Sequence, residues 1–254
     1  MSTTVRRNEL LDYILRHGSV GIEDLVRDFG VSRMTVHRDL DALEHEGVIR
    51  RVRGGASALP SALYESDYRY RLRTATKEKA SLARAALAHV EPGQCVMLDD
   101  STTVLALAEL LPAHKPLTVI SNSFGILERL CDAADISLIG LGGTYSRHYN
   151  AFFGLVCENA VAALRADVLF MSVSAVNGTI VFHQDEQIVK AKRAMMAAAS
   201  RRVLLVDHRK FGTTALNRLG ELSEFDAVLT TQDFDADLAA GLEEDGVNIR
   251  VVTR

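Results

Sequence analysis

Apolar residues recur at helical spacing in three short segments near the start of the chain, residues 5–17, 22–29 and 32–46. Gly30 ends the second segment, and Ser32, a favoured N-cap residue, begins the third. Glycine accepts the positive φ angle of a sharp turn, so two short helices joined by these few residues predict a helix-turn-helix.

The third predicted helix has two unlike faces. Val36, Leu40 and Leu43 share one face, which must pack on the first two helices. Met34 and Arg38 point the opposite way. A helix of this kind can lie in the major groove of DNA, where an arginine donates paired hydrogen bonds to guanine or to a phosphate.

Basic residues mark the rest of this region. The stretch 48–53 alternates partly, carries three arginines and ends at Gly54-Gly55, which predicts a wing that reaches the sugar-phosphate backbone or a minor groove. A further arginine pair lies at 6–7. The candidate DNA-binding residues are Arg6, Arg7, Ser32, Arg33, Met34, Thr35, His37, Arg38, Arg50, Arg51 and Arg53.

The pattern changes twice after the wing. Residues 56–63 have little periodicity and one proline, which predicts a linker. Residues 65–90 form a long, charged and periodic stretch, which predicts a connecting helix that breaks near Thr74.

Beyond residue 93, short apolar strands alternate with amphipathic helices, which predicts a Rossmann-like, mostly parallel sheet covered on both faces. The fold class is therefore α/β. The predicted strands are 95–98, 117–121, 136–141, 168–173, 203–207, 227–231 and 248–252. The predicted helices between them are 104–111, 125–133, 157–164, 187–200 and 235–243.

Polar and glycine residues follow these strands, at the sheet edge where ligands of such folds bind. Asp99 begins a hydroxyl-rich run that leads into a helix, whose N-terminus attracts anions such as phosphate. Gly142 and Gly143 let a ligand approach the backbone closely. The candidate effector-binding residues are Asp99, Ser101, Thr102, Thr103, Asn122, Gly142, Gly143, Lys190 and Lys210, the two lysines offsetting a phosphate charge.

Composition narrows the class of protein. The 254 residues are enough for a small domain plus a larger one, and the net charge of −4 argues against a protein that coats nucleic acid indiscriminately. No apolar run approaches the roughly 20 residues that span a bilayer, so we expect a cytoplasmic protein without membrane contact. The three cysteines lack C-x-x-C spacing, so we expect buried thiols and no metal or cofactor.

The run VSRMTVHRDLDALEHEGVIRRVRGG, residues 31–55, closely resembles the DNA-binding signature of DeoR-family transcription regulators. The LDDSTT run, 98–103, resembles the family's Asp-x-Gly-Thr-Thr loop, with Ser101 in place of the glycine. Ser172 and Ser174 also stand where small or acidic residues are usual in that family. Other matches are Arg71, Glu78, Lys79, Ser121-Asn122-Ser123, Gly142-Gly143, Phe153-Gly154, Glu186 with Lys190, and the run 207–211.

The resemblance implies a homo-oligomeric repressor whose C-terminal domain is similar to sugar-phosphate isomerases but senses a phosphorylated sugar, with loss of operator affinity when the effector binds. The expected domains are a winged helix-turn-helix DNA-binding domain at 1–57, a linker and connecting helix at 58–90, and an α/β effector-sensing domain at 91–254.

The alternative is an enzyme, a sugar-phosphate isomerase or transferase with an N-terminal interaction module. Isomerisation needs a general base placed beside the substrate carbon. Asp99, Glu186 and His208 are the candidates for such a base, but the sequence shows no arrangement that would position one of them. We therefore expect a regulator without catalytic residues.

Overall fold

The computed structural model describes residues 3–45, 49–58 and 68–253. The chain divides into two compact units, Met1–Asp67 and Tyr68–Arg254. Residues 59–63 of the predicted linker, and the start of the predicted connecting helix, lie outside the described residues. The exact domain boundaries stay a prediction.

The first unit is a three-helix module with a small antiparallel sheet. Its elements are α1 (Thr3–His17), β1 (Ser19–Gly21), α2 (Ile22–Phe29), α3 (Arg33–His45), β2 (Ile49–Val52) and β3 (Gly55–Ala58). The three strands lie in the order β1-β3-β2. Helices α2 and α3, separated by a three-residue turn, form the helix-turn-helix, and β2 with β3 forms the wing.

The buried face of α3 is the one that the spacing predicts. Val36 and Leu40 are fully buried, and Leu43 is 2% exposed. Leu10 of α1 and Leu25 of α2 are also fully buried. Fully burying a side chain of this size stabilises the fold by about 1.5–3 kcal/mol, so these few residues supply most of the small core.

Two strands of this unit were not predicted. β1 carries only three residues, and β3 lies where the sequence indicates the start of a linker. Gly55 explains the close pairing of the two strands, because a Cβ atom at this position would lie 2.0 Å from the carbonyl oxygen of Val20. Glycine is required there by the approach of one backbone to another.

The second unit is built on a seven-stranded parallel sheet in the order β15-β14-β12-β9-β4-β5-β6. Its strands are β4 (Cys95–Leu98), β5 (Leu117–Ser121), β6 (Ile136–Gly140), β9 (Ala166–Met171), β12 (Ala199–Val206), β14 (Ala227–Thr231) and β15 (Ile249–Val252). Two small antiparallel sheets accompany it, made of β7 (Thr144–Ser146) with β8 (Ala151–Phe153), and of β10 (Ala175–Asn177), β11 (Ile180–His183) and β13 (Asn217–Glu221).

Helices cover both faces of the large sheet. They are α4 (Tyr68–Arg73), α5 (Thr76–Ala86), α6 (Thr102–Ala108), α7 (Phe124–Leu130), α8 (Leu155–Ala162), α9 (Glu186–Ala198) and α10 (Ala236–Glu244). Successive strand residues enter two different hydrophobic clusters: Met97 belongs to one, and Val96 with Leu98 to the other. The sheet therefore has an apolar layer on each side, as the α/β alternation predicts.

The strand order reverses at β4. From β4 the chain moves through β5 to β6 on one side, whereas β9, β12, β14 and β15 lie on the other side. The switch point between β4 and β9 is where a crevice opens beyond the carboxyl ends of parallel strands. The fold thus singles out the loops that follow Leu98 and Met171.

The strands predicted at 95–98, 117–121 and 227–231 are confirmed at their bounds, and the other four overlap the observed strands. The predicted connecting helix breaks at Thr74–Ala75 into α4 and α5, both within the second unit. The expectation of three buried thiols is wrong: Cys157 is buried, but Cys95 is half-buried and Cys131 is exposed.

Asp39 yields a stability prediction for the first unit. It is fully buried on α3 and accepts hydrogen bonds from Arg6 Nε at 2.6 Å and Arg7 Nε at 3.0 Å. We expect Asp39→Asn to lower the free energy of unfolding by about 1–3 kcal/mol, because the arginines lose a charged partner. Chemical unfolding of the full chain measures the change. The exposed Asp24→Asn is the control and should have a much smaller effect.

Acid should weaken the same contact. Burial by itself raises the pKa of Asp39, but the hydrogen bonds from Arg6 and Arg7 lower it more, so the net pKa lies below the ordinary value. A lowered folded-state pKa means that the contribution is present above the ordinary carboxyl pKa and is lost as pH falls through the folded value. Loss of the difference between the wild type and Asp39→Asn at acid pH would agree with this; a constant difference would contradict it.

Candidate nucleic-acid interface and anion site

The exposed face of α3 carries the candidate DNA contacts. Met34 is 82% exposed, and Arg38 is also exposed, opposite the buried Val36 and Leu40. The N-terminus of α3 is fastened by Ser32, whose Oγ accepts from the backbone N–H of Thr35 at 3.2 Å. This cap sets where the helix begins, and so fixes which residues share its outer face.

The wing arginines divide into two kinds. Arg50 and Arg53 are exposed, and their side chains make no hydrogen bond or ion pair with any residue that the structure describes. Arg51 faces the other way, on the side of β2 that carries the buried Ile49, because strand residues two apart share a face.

Arg51 joins the wing to α3. Its Nη1 lies 2.5 Å from Asp41 Oδ1, its Nη2 2.8 Å from His37 Nδ1, and its backbone N–H donates to Glu44 at 2.8 Å. Its side chain is 22% exposed. Arg51 and His37, both candidate DNA contacts, are therefore engaged in holding the wing.

Three further candidate arginines also have partners within the first unit. Arg6 and Arg7 both donate to the buried Asp39, which attaches α1 to α3. Arg33 forms an ion pair with Glu23 at 2.5 Å, but both side chains are more than half exposed. Met34, Arg38, Arg50 and Arg53 are the exposed members of the predicted set whose side chains have no partner among the described residues.

In the second unit, Asp99 lies buried at the switch point between β4 and β9. Its Oδ1 accepts from the backbone N–H of Ser101 at 2.9 Å, and its Oδ2 accepts from that of Ser172 at 2.8 Å. Lys192 of α9 also donates to Oδ2. Both carboxylate oxygens are therefore occupied, and Asp99 positions two loops that the sheet itself does not join.

Lys192 is the functional residue that sequence reasoning missed. It is 2% exposed, donates to the carbonyl of Ser172 at 3.0 Å, and lies 3.4 Å from Asp100 Oδ1. Burial alone lowers the pKa of Lys192, but the charges of Asp99 and Asp100 raise it more, so the lysine stays protonated. The signal was available, because Lys192 falls four residues after Ile188, on the apolar face of its helix.

Lys190, one of the two lysines predicted from the sequence, does not contact the residues of this edge. Its side chain is 56% exposed and pairs with Glu186 at 2.7 Å, one helical turn away. The hydrogen bond and charge of Glu186 raise the pKa of Lys190, as for an ordinary surface pair.

Two lysines lie near the switch point between β4 and β9. Lys210 donates to the carbonyl of Val173 at 2.6 Å and lies 3.3 Å from Ser172 Oγ. Lys79 of α5 donates to the carbonyl of Arg71, which also accepts from Thr102 Oγ1 at 3.2 Å.

The pKa values show that these cations share one region. Burial, then the charges of Lys210 and Arg71, lower the pKa of Lys79 to about 7. Burial, then the charge of Arg71, lower the pKa of Lys210 to about 8. Like charges that depress each other's pKa are relieved by a bound anion, so this cluster is suited to one.

The hydroxyl-rich loop after β4 is less suited to an anion than its sequence suggests. Ser101 Oγ accepts from the backbone N–H of Val104 at 3.1 Å and so occupies one donor at the start of α6, a helix of only seven residues. Thr102 and Thr103 are buried, and the carboxylates of Asp99 and Asp100 precede them. These features argue against a phosphate at this helix end.

The buried oxygens without a hydrogen bond to any described residue include Asp100 Oδ2 and Asn122 Oδ1. The amide of Asn122 is oriented by its Nδ2, which donates to the carbonyl of Phe152 at 2.9 Å. Gly142 and Gly143 are exposed beside these strands, and a Cβ at Gly143 would lie 2.5 Å from the carbonyl of Phe153. The second glycine is thus explained by packing against β8.

The three candidate general bases have other partners. Asp99 is occupied as described above, Glu186 is in its surface pair, and His208 Nδ1 lies 2.6 Å from Thr231 Oγ1.

Among the described residues, no group of three or more His, Cys, Asp or Glu side chains could hold a metal ion. In the same part of the chain, none of the helices combines the length and the apolar character needed to cross a bilayer.

A winged helix-turn-helix followed by an α/β domain with cations at the carboxyl edge of its sheet is typical of ligand-sensing transcription regulators. Comparison with known families agrees: residues 6–62 match the DeoR-like helix-turn-helix domain, and residues 74–232 match the DeoR C terminal sensor domain. The chain therefore belongs to the DeoR family of DNA-binding transcription regulators. The prediction of a regulator rather than an enzyme is confirmed.

Relatives match along nearly the whole chain. An uncharacterized HTH-type transcriptional regulator, YgbI, of Escherichia coli K12 is 31% identical over 97% of this chain and 96% of its own length. The glycerol-3-phosphate regulon repressor of the same organism is 31% identical over 91% of each chain. Among solved structures, ribose 5 phosphate isomerase A from Neisseria gonorrhoeae is 18% identical, with a TM-score of 0.39 over 53% of each chain, too low to carry an argument.

The buried pair at the switch point yields the second stability prediction. Lys192→Met keeps the volume but leaves Asp99 and Asp100 buried without their cation, so we expect unfolding to become easier by about 3–5 kcal/mol. Lys190→Met, two residues away and exposed, should leave the unfolding free energy nearly unchanged. Denaturant unfolding of both variants measures this. Equal, small losses would show that the buried pair contributes little.

Proposed function

We propose that the protein is a repressor that binds operator DNA through α3 and the β2–β3 wing, and whose operator affinity is set by a phosphorylated sugar or polyol in the crevice of the second unit. The observation that carries the first half is the outward face of α3, opposite its buried stripe. The observation that carries the second half is the cluster of half-buried cations, Arg71, Lys79 and Lys210, at the carboxyl edge of the sheet.

The DNA-binding half follows from the way the first unit is assembled. α3 presents Arg38 and Met34 to solvent with its N-terminus capped, the geometry by which a recognition helix meets base edges. Arg50 and Arg53 extend from the wing, where they can meet phosphates. Arg6, Arg7 and Arg51 act by holding α1 and the wing against α3.

We also propose that the protein acts as a homo-oligomer in the cytoplasm, where the DNA lies. A single helix-turn-helix reads only a few base pairs, and regulators of this kind reach operator affinity by pairing two modules on two half-sites.

The effector half rests on charge. Lys79 and Lys210 have pKa values of about 7 and 8, lowered first by burial and then by neighbouring cations. A phosphate held between them and Arg71 would restore the charged form of both lysines. One relative is named a glycerol-3-phosphate regulon repressor, which supports extending a phosphorylated polyol or sugar to this chain. Thr102 and Gly142 lie beside this region as candidate contacts.

The DNA surface is tested with arginine variants. We expect Arg38→Ala to weaken operator binding by roughly 5- to 150-fold, the value of a lost base contact of about 1–3 kcal/mol. Arg50→Ala should weaken binding less. It should also reduce the slope of the logarithm of the binding constant against the logarithm of the salt concentration by about one, because one phosphate contact is lost. Arg218→Ala, an exposed arginine of the second unit, is the control. Fluorescence anisotropy with operator DNA at several salt concentrations measures all three.

Arg51→Ala distinguishes a residue that holds the wing against α3 from a residue that contacts DNA directly. It breaks the bonds to Asp41 and His37, so we expect it to lower both operator affinity and unfolding stability. The mass of each complex, read from sedimentation of the same samples, gives the number of protein copies per operator.

Unchanged affinity and salt dependence in both Arg38→Ala and Arg50→Ala would overturn this placement of the DNA surface.

The effector site is tested by pH. Above pH 7 a sugar phosphate is a dianion, because its second pKa is near 6, so further pH dependence belongs to the protein. We expect affinity to fall about tenfold or more between pH 7 and pH 9, as Lys79 and Lys210 lose the protons that binding retains. Calorimetry at pH 8 in two buffers of different ionisation enthalpy should show proton uptake.

A lysine variant supplies the matched comparison. Lys210→Met should abolish most of the pH dependence and weaken binding, whereas Lys115→Met, at the opposite edge of the sheet and paired with Asp135, should bind as the wild type does. Sugar phosphates that neither bind nor change operator affinity would show that the sensor assignment is wrong.

A further inference from the structure

We propose that Asp100 selects the effector by accepting a hydrogen bond from a hydroxyl or amino group of the sugar, at the end of the ligand away from its phosphate. The inference rests on the proposed sensor function and adds a specificity-determining residue to it. The structural observation is a buried carboxylate that has one oxygen beside a lysine and the other oxygen without a partner among the described residues.

Asp100 is nearly fully buried, at 2% exposed, two residues beyond the end of β4. Its Oδ1 lies 3.4 Å from Lys192 Nζ, which also binds Asp99 and the carbonyl of Ser172. Its Oδ2 accepts no hydrogen bond from any side chain or backbone group in the described ranges. A buried carboxylate oxygen without a donor is costly, so a ligand that brings an O–H or N–H group gains by supplying it.

A second acceptor lies on the adjacent strand end. Asn122 Oδ1 is also buried and lacks a hydrogen bond within the described part of the chain, and its Nδ2 is held by the carbonyl of Phe152. Leu98 and Ser121 are paired neighbours in the sheet, so Asp100 and Asn122 leave adjacent strands at the same edge. Two acceptors at one edge favour a ligand with several donors, as a sugar has.

The charges are separated across the crevice. Lys210 lies on the side of β9 and β12, where it donates to the carbonyl of Val173, whereas Asp100 and Asn122 follow β4 and β5. A phosphate next to Asp100 would meet a buried negative charge, which is unfavourable. The arrangement therefore orients the ligand, with its anion toward the lysines and its donors toward the acceptors.

The glycine loop after β6 leaves the same edge of the sheet as Asn122, because β6 pairs in parallel with β5. A Cβ at Gly143 would lie 3.4 Å from Cys157 Cβ, and next to it Gly142 is exposed and has open space where a side chain would be. No side chain at Gly142 blocks the approach to this corner of the sheet.

The test compares ligands first and variants second. The probes are glucose 6-phosphate, glucosamine 6-phosphate, the deoxy analogues of glucose 6-phosphate and inorganic phosphate, each titrated into the wild-type full chain by calorimetry. We expect at least one deoxy analogue to bind about tenfold or more weakly than its parent, with inorganic phosphate binding weakly. The comparison between the hydroxyl and the amino sugar tells which donor Asp100 prefers.

Asp100→Asn and Asp100→Ser should reduce that discrimination to less than about threefold and leave the affinity for inorganic phosphate unchanged. Asp135→Asn, an exposed aspartate at the opposite sheet edge, is the matched control and should keep the wild-type ranking. If Asp100 served only as a second counterion of Lys192, both variants would lower the melting temperature and weaken all ligands by the same factor, which would overturn the proposal.

The proposed sensor function and the proposed role of Asp100 can be refuted separately. If no phosphate ester or inorganic phosphate binds the wild type, the sensor function itself is wrong and this inference falls with it. If phosphate esters bind but no deoxy analogue is distinguished from its parent, the sensor function stands and the role of Asp100 is overturned. This second outcome needs no variant, so it does not depend on whether Asp100→Asn folds.

Discussion

The buried pair of Asp99 and Lys192 is the contact on which the crevice of the second unit depends. β4 and β9 are neighbours, but their hydrogen-bonded ladder stops at the strand ends, and the chain leaves them in opposite directions. Asp99 connects the two loops through the backbone N–H groups of Ser101 and Ser172. The same loop offers Lys210 its carbonyl partner at Val173, so the position of one cation depends on the charge pair beside it.

The fold could be predicted because it is encoded in local periodicity. A period near 3.6 with glycine stops indicates the three N-terminal helices, and apolar runs alternating with amphipathic helices indicate the parallel sheet. The small antiparallel strands could not be predicted in the same way. β1 has three residues, and β3 owes its pairing to Gly55, whose meaning depends on the backbone of Val20 across the sheet.

The sites were predictable in location but not in detail. Strand ends bring residues such as Asn122 to one edge, and that much follows from the topology. Which lysine reaches the edge depends on helical phase: Lys190 and Lys192 differ by about 200° around α9, and one is exposed while the other is buried. Arginine clusters carry the same ambiguity, since composition does not tell whether Arg51 faces DNA or an aspartate of its own domain.

The internal use of arginines has a consequence for how this protein searches a chromosome. Indiscriminate attraction to DNA grows with the number of phosphates that a surface neutralises, because each one frees condensed counterions. Arg6 and Arg7 share the carboxylate of Asp39, Arg51 is paired with Asp41, and the chain as a whole is acidic. Few positive charges of the first unit are left to hold the protein on DNA that is not an operator. With the proposed DNA surface, we therefore expect encounters with non-cognate DNA to be brief.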